Sequence, residues 1–204
     1  MSRSLAAALS LTTAILLPAC SVVRDVDSAM RTLSRCRFKL DAVRDLQLAG
    51  VALSGKSSVG LAGGAAILAA YSAGSIPASF TLEVAAINPN DGTGGGSPAT
   101  ATLTGFAWTL ILDSVTTVQG DIASPVTIPG TGQQTIIPLS VTIDMMKFFK
   151  EQGYRHIIDL GLALAGAKGS TSRIQLRARP TISTPIGPIT YPGEIEIVDK
   201  EFRG

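Results

Sequence analysis

Apolar residues recur at every second position in one segment of this chain after another, and that period constrains the fold more than any other feature. Phe80, Leu82 and Val84 alternate with Thr81, Glu83 and Ala85. Ile137, Leu139, Val141 and Ile143 repeat the pattern, as do Ile174, Leu176, Ala178 and Pro180 between Arg173, Gln175, Arg177 and Arg179. A period of two sends successive side chains to opposite faces, so each segment predicts a half-buried strand. Further strands are expected at Cys36 to Leu40 with Cys36, Phe38 and Leu40 inward, and around Leu46 to Leu53 with a slip at Gly50. Others follow at Ala101 to Asp113, Ser114 to Gln119, Val126 to Pro129 and Glu194 to Ile197. Between them stand turn signals. Asn88-Pro89-Asn90-Asp91-Gly92 and the glycines from Gly94 to Gly96 predict a solvated, flexible loop, Gly130-Thr131-Gly132 a turn, and Pro185 to Pro192 a bend. Many short strands with such turns and few helices indicate a mainly β, antiparallel β-sandwich rather than a parallel α/β sheet.

Helical spacing is confined to four places. Val22, Val23, Val26, Met30 and Leu33 recur at three- and four-residue intervals, which predicts a stalk or docking helix. The Ala-rich run Val59 to Ala73 predicts a short helix weakened by its glycines, packed as a lid or meeting lipid. Asp144 is placed to cap a helix bearing Met145, Met146, Phe148 and Phe149, with Gly153 at its end, and Ile157 to Ala165 is helical or extended. With 46% hydrophobic and 16% charged residues, the 204-residue chain has enough apolar surface for one self-supporting core. Its 17 basic and 15 acidic side chains exclude the charge footprint of a general nucleic-acid binder.

The N-terminus carries a different kind of apolarity. Arg3 is followed by an uncharged run from Leu5 to Ala19, whose fifteen residues fit a signal-peptide core of about 7 to 15 better than a membrane span of about 20. The run ends in Leu17-Pro18-Ala19-Cys20, which resembles the bacterial lipobox, although Pro18 stands where a small or aliphatic residue is usual. That resemblance implies cleavage after Ala19 and a diacylglyceryl thioether on Cys20, and Ser21 in place of an aspartate implies the periplasmic face of the outer membrane. The expected organisation is a signal peptide at 1–19, a lipidated stalk helix at 20–35 and one domain at 36–204. The expected partner is the membrane, reached through acyl chains on Cys20. Cys36 is then left without a disulfide partner and is expected as a small buried hydrophobe.

No chemical constellation rises to a site. Gly50-Val51-Ala52-Leu53-Ser54-Gly55-Lys56-Ser57 matches the phosphate-binding loop pattern letter for letter, and Leu110 to Asp113 mimics its magnesium-binding strand. Yet Val51 and Leu53 read as strand residues, and repeated strand-helix-strand units are missing, so no nucleotide is expected. His156 is the only histidine, which rules out a multi-histidine metal site. It is expected to be a packed or surface residue beside Tyr154 and Arg155. No nucleophile elbow occurs, and the Asn and Asp residues near Asn90 lack the spacing of a calcium loop. No catalytic residue, metal or cofactor is therefore expected, and the chain is read as a non-enzyme.

Five segments in order carry a family resemblance: CRFKLDAVRDLQLAGV from Cys36, FTLEVAAINPN from Phe80, LTGFAWTLILDS from Leu103, TIPGTGQQTIIPLSVTID from Thr127 and TPIGPITYPGEIEI from Thr184. Together they resemble the type 2 late-embryogenesis-abundant (LEA type 2) domain, also called WHy for water stress and hypersensitive response, as found in bacterial outer-membrane-type lipoproteins. The resemblance implies an Ig/fibronectin-III-like sandwich of about seven strands with two or three short helices, without catalytic residues. It implies an interaction or desiccation-protective module, contacting lipids or envelope proteins. An alternative expectation is a periplasmic protein that binds or transfers lipid or another apolar ligand. Met145, Met146, Phe148 and Phe149 would then line the apolar surface, and Arg173, Arg177 and Arg179 would meet anionic headgroups.

Overall fold

In the computed structural model, which describes residues 17–53, 58–93, 98–167, 173–184 and 186–201, the alternating segments become strands that pair antiparallel throughout. Helix α1 (Leu17–Arg35) leads into β1 (Arg37–Leu48), β2 (Val51–Ala52), α2 (Leu61–Ser72), β3 (Pro77–Ile87), β4 (Ala101–Leu112), β5 (Val115–Gly120) and β6 (Val126–Ile128). Then come β7 (Gln134–Asp144), α3 (Met145–Phe149), α4 (Gly153–Leu164), β8 (Arg173–Thr184), β9 (Gly187–Thr190) and β10 (Ile195–Glu201). One sheet has the order β2-β1-β3-β7, and the other β10-β8-β4-β5 with β6 added to β4 and β9 to β8. Seven of the ten strands have six or more residues. Those seven account for the expected number, and β2, β6 and β9 are short additions.

The period of two sorts side chains as expected. Leu82, Val84, Leu139 and Val141 from the first sheet meet Phe106, Leu110, Leu176 and Ala178 from the second in one buried cluster. Burying such side chains contributes about 1.5 to 3 kcal/mol each before the ordering cost is subtracted. Gly120 leaves room for the Trp108 indole, which lies where a Cβ would project. The slip at Gly50 is a two-residue hairpin: Ala49 and Gly50 both have positive φ and join paired Leu48 and Val51.

The two ends of the sandwich differ. At one end, where β3 begins at Pro77 opposite Asp144, α2, α3 and α4 gather. Asp144 caps α3 by accepting the Met146 N–H at 3.0 Å, and it also takes the Ile76 N–H and the Ser75 hydroxyl. Gly153 does not close α3 directly. α3 stops at Phe149, a tight turn spans Lys150–Gln152, and Gly153 with φ +83° redirects the chain into α4. Consequently Tyr154, Arg155 and His156 are helical, earlier than the start expected at Ile157. At the other end, about 36 Å away along eleven-residue β3, lie the C-terminus of α1 and the Asn88–Ala99 loop.

Candidate functional site: the joint between the N-terminal helix and the sandwich

Asn88 stands at the end of β3, where alternation stops, and it is wholly buried. A buried amide must find partners for its donors and acceptor. Its Nδ2 donates to the carbonyls of Ala99 at 2.7 Å and Ile128 at 3.1 Å, while its Oδ1 accepts from Asn90 N at 3.1 Å and Asn90 Nδ2 at 2.6 Å. Main-chain bonds from Gly132 N to Asn88 O and from Ala99 N to Asn90 O close the same knot. Gly130 is packed so tightly that a Cβ would lie 2.5 Å from Asn90 O and 2.6 Å from Ala99 O. The expectation of a solvated, flexible loop is therefore corrected at Asn88 to Asn90, which are tied to β4, β6 and the turn before β7. The glycines Gly94 to Gly96 lie outside the described residues.

The knot also holds α1. Asn90 Nδ2 donates to Thr32 O at 3.1 Å, satisfying a carbonyl that the end of the helix leaves without an intrahelical partner. Leu33 is buried in the sandwich core, Ala29 packs against it, and the helix touches β4 and β8. Cys36 is buried where the helix passes into β1, its thiol donating to Thr32 O at 3.4 Å. Burial pushes that thiol up to about 11, so it stays protonated and inert. Cys20 lies in the first turn of α1, and residues 1–16 of the expected signal lie outside the described residues. At 1.5 Å per residue, the fifteen steps from Cys20 to Arg35 amount to about 22 Å.

Beside the knot, α1 and the loop enclose an open polar cleft of about 620 Å³ lined by Asp27, Arg31, Arg35, Asn90 and Thr93 among others. Arg31 pairs with Asp27 one helical turn earlier at 2.8 Å, an exposed pair of little energetic weight. The Thr93 hydroxyl and N–H both donate to the Asp91 carboxylate and hold it below the usual carboxylate range. The cleft is a product of the joint, and its lining is mostly committed to internal bonds.

The side chains singled out in the sequence fall elsewhere. Arg177 and Arg179 are exposed on β8 and border a shallow groove of about 260 Å³ with Glu194. Arg177 stands opposite Glu196 in the β8–β10 ladder, and the Glu196 carboxylate accepts from Gln175 Nε2 at 3.4 Å. Arg173 is half-buried at the far end of the strand, where its backbone N–H donates to Asp113 Oδ1 at 2.6 Å. Met145, Met146 and Phe149 are buried in the common core, and Phe148 packs half-buried against it.

The phosphate-loop match divides between the Ala49–Gly50 hairpin, β2 and fully buried Leu53. Lys56 and Ser57 lie outside the described residues. His156 packs on Phe149, with ring centroids 5.8 Å apart, and its Nε2 approaches Asp113 Oδ2 at 3.5 Å. Asp113 is meanwhile occupied in joining the β4–β5 turn to β8 through both Oδ1 and its own N–H. Among the described residues no group of three or more His, Cys, Asp and Glu side chains is arranged to hold a metal ion, and no helix is long and apolar enough to cross a membrane.

No family model matches the chain, and no curated protein matches it. Among solved structures it is similar to a protein from Archaeoglobus fulgidus, with 16% identity over 79% of this chain and 98% of that one and a TM-score of 0.35. It is also similar to a candidate late embryogenesis abundant (LEA) protein determined in solution, with 14% identity over 90% of this chain and 87% of that one and a TM-score of 0.35. At that level neither likeness bears on what the chain does.

Proposed function

We propose that this protein is a lipid-anchored, non-enzymatic module of a bacterial envelope, in which an LEA type 2 sandwich is held in a fixed attitude to the membrane. The observation that carries the reading is the Asn88–Asn90–Thr32 knot, because it joins the helix bearing Cys20 to the sandwich core. A flexible tether would leave the domain free to tumble. A helix whose last turn buries Thr32 and Leu33 and whose free carbonyl is capped by the body transmits orientation instead. Acyl chains on Cys20 contribute about 0.8 kcal/mol per buried methylene, so two or more retain the protein on a bilayer without help from a net charge of +2. The periplasmic face of the outer membrane is the address that Ser21 favours.

The exposed sheet faces and the joint are then the surfaces offered to envelope partners, or to proteins stabilised during drying. Carriage of an apolar ligand would require Met145 and Phe149 to leave the core. Metabolic labelling with an alkyne palmitate in a bacterial host tests the anchor. Label is expected on the native chain and none on Cys20→Ala, which should leave the membrane fraction. Label on the Cys20→Ala chain, or a soluble, unlabelled native chain, would overturn the reading. Protection is tested by drying a labile enzyme with the purified protein. Activity retained no better than with serum albumin would remove the protective role.

A further inference from the structure

Helix α2 breaks the rule that surface helices have a polar outer face. No charged residue occurs from Ser57 to Leu82, and within the helix only Ile67 is fully buried. At 100° per residue, Leu68, Leu61, Ser72, Ala65, Ala69, Ala62 and Ala66 make up the outward arc, and all seven are exposed. Leu61 is 95% and Leu68 50% exposed. Ser72 is the one polar side chain in the arc, and its hydroxyl is spent on Leu68 O at 2.9 Å. The face therefore offers no unsatisfied polar side chain.

Tyr154 donates its hydroxyl to Gly64 O at 3.0 Å and meets Tyr71 edge-on, so the inner side of α2 is fixed to α4 and, among the described residues, the outer side stays uncovered. Twelve helical residues are about 18 Å long and about 10 Å wide, a projected face of roughly 200 Å². A stable protein contact needs about 800 Å² per partner and keeps a polar rim, so a second copy docking through α2 alone falls short on both counts. Hydrocarbon sets neither requirement. It accepts a helix whose polar groups are satisfied internally. The same end of the sandwich carries Lys147, Lys150 and Arg155 against Glu151, Asp159 and Asp144, so its charge is balanced and the surface does not repel phospholipid headgroups.

We propose that the outer face of α2 is a lipid-contacting surface that seats in the headgroup and upper acyl region of a phospholipid bilayer. It lies at the opposite end of the sandwich from the C-terminus of α1. The inference does not depend on acylation and is tested without it. In Cys20→Ser, Ala65→Cys is labelled with an environment-sensitive nitrobenzoxadiazole, the buried Cys36 thiol being inert. On vesicles of phosphatidylethanolamine and phosphatidylglycerol, emission should shift to the blue, rise at least twofold and be quenched by spin-labelled lipid. Adding Leu61→Glu and Leu68→Glu should abolish the change. Both sites are exposed, and an unaltered near-UV spectrum will show that the fold is intact. The proposal is overturned by a probe that stays in water while the protein floats with vesicles. It is also overturned by a blue shift that survives both substitutions, or by one that grows with protein concentration without lipid, which would mark self-association.

Discussion

Asn88 and Gly130 hold the joint by hydrogen bonding and close packing. The Asn88 amide spends both its N–H donations and its carbonyl inside the joint, leaving nothing for a ligand. Truncation in Asn88→Ala would leave the carbonyls of Ala99 and Ile128 short of a donor in a buried setting. At about 1 to 3 kcal/mol for a buried polar group left unpaired, the expected loss is about 3 kcal/mol in urea unfolding. Gly130→Ala pushes a methyl against two backbone oxygens that cannot rotate away and should cost about 1 to 3 kcal/mol by the same measurement.

Asp144 adds a pH dependence. Burial alone would raise its pKa, but the Ser75 hydroxyl, the N–H groups of Ile76 and Met146, and the charge of Lys147 together outweigh burial and leave it lowered. A carboxyl depressed in the folded state stabilises fully above its unfolded value of about 4 and loses that contribution as pH falls through the lower folded value. Denaturation midpoints should therefore decline below about pH 4 more steeply in the native protein than in Asp144→Asn. Equal slopes would show the cap to be electrostatically idle. At Cys36, Ellman's reagent at pH 8 should react only on unfolding, measured in Cys20→Ser.

At the scale of elements, periodicity made most of the fold legible. The strand segments from Phe80, Ala101, Ile137 and Ile174 are strands because their inward residues meet across two sheets, and the capping carboxylate of α3 was visible as Asp144 before an apolar run. The joint was not legible. Asn-Pro-Asn reads locally as a turn in water, and only the approach of Ala99, Ile128 and Thr32, distant in sequence, turns Asn88 inward. The arginine row was visible as an alternation. That Arg177 stands opposite Glu196 was not, since Glu194 and Glu196 become neighbours of β8 only through β10 pairing. Asn90→Ala removes the cap on Thr32 O while leaving Leu33 buried. Hydrogen exchange at the last turn of α1 should accelerate at least tenfold in this variant with little change in β3 or β4. Unchanged exchange would show that Leu33 alone secures the helix.

For the whole molecule, the two ends divide the work. One end receives α1 through a hydrogen-bonded joint, and the other presents three helices, of which α2 is uncharged. Between them the core of the described residues is filled by its own side chains. Cys20 is the decisive residue, because a hydrogen-bonded joint has a consequence only if the far end of α1 is held. The deciding measurement is the mass and N-terminal sequence of the mature chain extracted from bacterial membranes. The expected chain begins at Cys20, lacks residues 1–19 and carries the added mass of a diacylglyceryl group. A chain that retains Met1, or one that begins at Cys20 or beyond without lipid, would contradict it.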